Sequence, residues 1–149
     1  LTTAANVIKT MKTPLRSLVL TVMFLLTGGL TLDADPALLG NKGLSGRKLD
    51  AETVKAVLLG KRATLGNDRV VIVIIKASDA QDTFLKDYVG MTTDQFNTYW
   101  RRLFMTGGGS APKMVQTEAD ALKFAAETPG AIVIGDSEKA QGLVILATR

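Results

Sequence analysis

An α/β fold, a mixed sheet flanked by helices, is what this sequence predicts, and three observations predict it. Val70 to Ile75 is an unbroken run of β-branched residues, the pattern of a strand buried on both faces. Apolar stripes at helical spacing lie on either side of that run, and shorter apolar runs at 131–134 and 143–147 follow them. Composition agrees: 46% hydrophobic and 5% aromatic over 149 residues suits one domain with a Val, Ile and Leu core.

Taken in order, the elements begin with an address. Met11-Lys12-Thr13-Pro14-Leu15-Arg16 is a short basic region, and the apolar run from Ser17 to Leu30 follows it. That is the layout of a secretory signal, with Thr27-Gly28-Gly29 as small residues for cleavage. The run is short for a ~30 Å hydrocarbon core, so an uncleaved anchor and a buried first helix stand as alternatives. Residues 1–32 are therefore read as upstream residues and a signal or membrane anchor, directing the protein to the periplasm or the outside. Residues 33–48, with Pro36 and three glycines, read as a flexible approach.

The domain proper is read as 49–149. Asp50 is placed to cap a helix carrying Val54, Val57 and Leu58 on one face, which Gly60 ends. Lys61 to Asp68 is a loop with Gly66-Asn67 as its turn. After the strand 70–75, a helix over 80–88 turns Phe84 and Leu85 inward. Thr92 or Thr93 caps the next helix, to about 104, with Phe96, Tyr99, Trp100 and Leu103 at helical spacing. Three consecutive glycines make 106–110 a loop, because ordering them into a regular element costs too much entropy. Thr117 begins a helix with Ala121, Leu122, Phe124 and Ala125 as its stripe, and Thr128-Pro129-Gly130 closes it.

Several function classes are disfavoured at once. With no His and no Cys the chain lacks the commonest general base, nucleophile and metal ligands, so neither an enzyme, a cofactor nor a metal is predicted. The formal charge of +4 invites a nucleic-acid reading. However, Lys9, Lys12 and Arg16 precede the first acid, and 15 basic residues then meet 14 acidic ones. That leaves no clustered face for phosphate contacts, so no nucleic-acid partner is expected.

Between Leu49 and Gly135 several motifs follow one another: Leu58-Leu59-Gly60-Lys61, Phe104-Met105-Thr106-Gly107-Gly108-Gly109 and Pro129-Gly130-Ala131-Ile132. Their order resembles that of the PstS-like phosphate-binding proteins of ABC transporters. The resemblance implies a single lobe of the periplasmic-binding-protein fold and non-catalytic binding of phosphate or another small oxyanion. It also implies a membrane transporter or envelope protein as partner. A single lobe leaves one face of the cleft open, so a homodimer is the expected way to supply the opposite wall.

The matching anion loop would be Lys76-Ala77-Ser78-Asp79-Ala80-Gln81-Asp82-Thr83-Phe84, where the family resembles R-x-D-G-S-G-T. Lys76 keeps the cation but not the bidentate fork of an arginine. Ala80, Gln81 and Asp82 stand where serine, glycine and threonine would touch the anion, and the Asp82 carboxylate opposes one. The candidate ligand residues are Lys76, Ser78 and Thr83, with Gly107 and Gly108 as a possible amide nest. The alternative reading is an ordinary strand-to-helix turn with Ser78 or Asp79 as N-cap, within a ligand-free structural or protein-interaction module of the cell envelope.

Overall fold

The computed structural model describes residues 35–149. The secretory signal read over 1–32 lies outside the described residues.

The sheet takes its shape from two apolar faces on each inner strand. Its strands are β1 (Pro36–Asn41), β4 (Val71–Ile75), β5 (Lys113–Val115), β6 (Ala131–Asp136) and β7 (Leu143–Thr148), in the order β5-β4-β6-β1-β7. β4 runs parallel to β5 and β6, while β1 is antiparallel to both of its neighbours, β6 and β7. Successive side chains point to opposite faces. Leu38, Ile72, Ile74, Ile132 and Ile134 accordingly enter one apolar cluster, and Ala37, Leu39, Val73, Ile75 and Val133 enter the other.

Helices cover both faces. α1 (Ala51–Leu58), α2 (Asp79–Val89) and α3 (Thr93–Met105) seal the first cluster through Val54, Val57, Leu58, Phe84, Leu85, Phe96 and Trp100. α4 (Glu118–Glu127) seals the second with Ala121 and Ala125, small residues that let the helix lie close to the sheet. A two-stranded hairpin, β2 (Thr64–Leu65) and β3 (Asp68–Arg69), turns at Gly66-Asn67 as the sequence predicts.

The caps follow the residues. Asp50 accepts from the Thr53 amide, and Ser78, Thr92 and Thr117 cap the other three helices in the same way. Thr92 and Gln95 form a full capping box. At the end of α1, Gly60 has φ of 73°, which only glycine adopts at low cost. The Gly60 and Lys61 amides return to the Val57 and Ala56 carbonyls, completing a Schellman closure. α3 then clamps the same end, because Tyr99 and Trp100 donate to the Leu59 and Leu58 carbonyls.

One expectation is corrected. The stretch 33–48, read as a flexible approach, contains β1, whose six residues are all buried. β1 is flanked on both sides by other strands, so the ordered domain begins well before Leu49. Asn41 at its end is 5% exposed and donates to the Ala125 and Ala126 carbonyls, which the last turn of α4 would otherwise leave orphaned.

Candidate functional site

Parallel strands joined by helices create a crevice where neighbouring connections depart to opposite faces. Here β4 hands the chain to α2 on one face and β5 hands it to α4 on the other. The switch point therefore lies between the carboxyl ends of β4 and β5, at Lys76–Ser78 and Gln116–Thr117. The Lys76 amide donates to the Val115 carbonyl at 2.9 Å and ties the two ends together.

Lys76 and Ala77 are exposed there and Ser78 is half-buried. The Ser78 hydroxyl accepts from the Gln81 amide at 3.2 Å, so it serves as the N-cap. Thr83 lies further along α2 and is half-buried. The structure thus brings Lys76 and Ser78 together, with Thr83 on the following helix. It does not bring Gly107 and Gly108 to them. Those glycines follow α3, and the adjoining Gly109, Ser110 and Ala111 border a recess with Val70, Val71 and Ile72, at the opposite end of β4.

Two residues at the predicted anion positions are engaged internally. Gln81 is fully buried: its Oε1 accepts from the Ile75 amide at 2.9 Å. Its Nε2 donates to the Ile75 carbonyl at 2.9 Å and to Thr93 Oγ1 at 3.0 Å. β4 pairs with β6 only as far as Val73, so Gln81 supplies the main-chain partner that β6 no longer offers. Asp82 Oδ1 accepts from the Thr93 amide at 2.8 Å and from the Thr93 hydroxyl. Those two bonds, the hydroxyl's first, hold the Asp82 carboxyl below its ordinary value, against a smaller opposing effect of burial. Sequence reasoning missed both roles, since nothing local ties Asp82 to a residue eleven positions on.

The electrostatics of this end are mixed. The first turn of α2 carries Asp79 and Asp82, and that of α4 carries Glu118 and Asp120. Carboxylates there satisfy the helix dipoles from within. Lys139 pairs with Glu118 at 3.7 Å, while Lys76 stands exposed on the turn itself. Among the described residues every buried side-chain nitrogen and oxygen has a partner.

Comparison with known proteins bears on the fold. No family model matches the chain, and no curated protein matches it. Among solved structures it is similar to the crystal structure of an ABC-type phosphate transport receptor from Vibrio cholerae. The TM-score is 0.56 at 9% identity, covering 75% of this chain and 45% of the receptor. The likeness establishes the fold alone: a mixed α/β sheet flanked by helices, shared with part of that receptor. The chain spans less than half of that receptor's length.

Proposed function

We propose that the chain is a non-catalytic binding module that takes phosphate or another small oxyanion at the β4–α2 turn. Its fold likeness to a phosphate transport receptor carries this reading. Lys76 supplies a cation at the turn, the Ser78 hydroxyl lies two residues on, and the first amides of α2 have no intrahelical partner. Thr83 borders the same helix, whereas Gly107 and Gly108 fall outside the site. Export to the periplasm and coupling to a membrane transporter belong to the same proposal, supported by the signal-like segment from Met11 and by the receptor fold. A second copy of the chain is the proposed opposite wall of the cleft.

One observation favours a second reading, a ligand-free interaction module of the cell envelope. Gln81 and Asp82 occupy anion positions with internal hydrogen bonds, and Asp79 and Asp82 oppose an anion at the same turn. Thermal melting against phosphate, sulfate and other small anions separates the two. A ligand at a hundredfold excess over its Kd adds about 2.7 kcal/mol, roughly 8 °C for a domain of this size. A selective rise abolished by Lys76→Ala supports the anion site. A flat panel rejects it and leaves the interaction module.

A further inference from the structure

The recess at the amino-terminal end of β4 has a composition of its own. Its volume is about 140 Å³. Val57, Val70 and Ile72 give it an apolar floor, and Trp100 and Gly109–Ala111 form part of its wall. Trp100 is 6% exposed and fixed by its indole N–H to the Leu58 carbonyl at 3.0 Å. Glycines flank the benzenoid edge of that indole: a Cβ on Gly60 would fall 2.6 Å from Cη2, and one on Gly109 would fall 3.9 Å from Cζ3. Any side chain at residue 60 would collide with this edge.

Two arginines, Arg62 and Arg69, border the same recess. Arg69 Nη2 donates to Ser110 Oγ at 2.7 Å and so holds the glycine loop against the hairpin, leaving the rest of its fork available. Arg62 also lines an adjoining polar recess with Arg47 and Lys48. Asp68 lies 4.0 Å from Arg47. Two cations, Arg62 and Arg69, thus border this recess, and Arg47 and Lys48 border the adjoining one.

We propose that this recess binds a compact carboxylate with an apolar body of about benzoate size. Its carboxylate meets Arg62 and Arg69, and its body lies on the apolar floor against the edge of Trp100. The size follows from the volume, since a cavity of about 150 Å³ accommodates benzene in another protein. The charge follows from guanidinium chemistry, which favours planar carboxylates with two parallel hydrogen bonds. A neutral molecule of the same shape would leave the arginines unused, and a bare phosphate would leave the floor uncovered.

Trp100 is the only tryptophan of the chain, so its fluorescence reports occupancy of this recess directly. The full chain is titrated with benzoate, with benzyl alcohol and with phosphate. Benzoate is expected to give a saturable change in emission. Arg62→Gln with Arg69→Gln is expected to weaken it at least tenfold, with the circular dichroism spectrum unchanged. Should the double variant fail to fold, each single variant is expected to weaken binding at least threefold. No saturable change, affinity unaltered in these variants, or an equal response to benzyl alcohol or phosphate would overturn the proposal.

Discussion

Replacing Gln81 by leucine tests the reading that this residue completes the sheet rather than contacts a ligand. Leucine fills a similar volume, so the perturbation removes hydrogen bonds more than packing. It leaves the Ile75 amide and carbonyl without the partners they now hold at 2.9 Å, inside a region where Ile75 is 1% exposed. An unsatisfied buried polar group costs about 1–3 kcal/mol. Two such groups at the strand's end, where some water can enter, put the loss at about 3 kcal/mol. That corresponds to roughly 10 °C in Tm for a domain of this size. Urea unfolding followed by Trp100 emission measures it, with the same m-value expected because the surface exposed on unfolding is unchanged. A loss below about 0.5 kcal/mol, the usual range for surface substitutions, would refute the structural role of Gln81.

Asp82 carries a pH dependence whose sign follows from its bonds. Its carboxyl is held below the usual value by the Thr93 hydroxyl and amide. The stabilisation is therefore complete above the unfolded carboxylate range, about pH 4, and is lost as pH falls through the lower folded value. Asp82→Asn is expected to lower Tm at pH 7 and to narrow the gap from wild type as the melt is repeated toward pH 3; a constant gap would contradict this. Among the glycines, Gly130→Ala is expected to cost more than about 3 kcal/mol, because φ is 75° and the new Cβ would sit 2.0 Å from the Arg69 carbonyl oxygen. Gly90→Ala, with φ of 71° but open space around it, is expected to cost only about 1–2 kcal/mol, and equal losses in denaturant melts would show that contact with Arg69 is unimportant.

Legibility in the sequence followed how local each determinant is. Helix caps, the Val71–Ile75 strand and the Gly66-Asn67 turn are short-range chemistry, and they lie where residues predicted them. β1 escaped because Pro36 and Gly40 read as loop signals. In the fold Pro36 is the first residue of the strand, where a proline is tolerated, and Gly40 admits a neighbour. A Cβ on Gly40 would lie 2.7 Å from Leu146 Cδ1, so that glycine marks close packing between β1 and β7. β5 escaped because it is three residues long and lies at the sheet's edge. The candidate site was half legible. Lys76 and Ser78 are two residues apart and share one turn, but the glycine loop was joined to them by analogy, and the length of β4 separates the two.

That separation gives the sheet two ends of different chemistry, and the anion proposal at the β4–α2 end has to hold against its own carboxylates. Asp79 occupies the first turn of α2, three residues beyond Lys76. A charge at that position is worth about 0.3–1 kcal/mol against the helix dipole, and a bound oxyanion would compete for the same amides. Asp79→Asn leaves the Ser78 cap in place and removes only the competing charge. If phosphate sits there, its affinity rises by roughly two- to fivefold at low salt, and the gain shrinks as added salt screens the surface. Isothermal titration at two ionic strengths reads both effects. Phosphate affinity that is unchanged by Asp79→Asn would mean that the anion, if it binds, binds elsewhere, and the exposed Lys76 would then be a solvated lysine on a strand-to-helix turn.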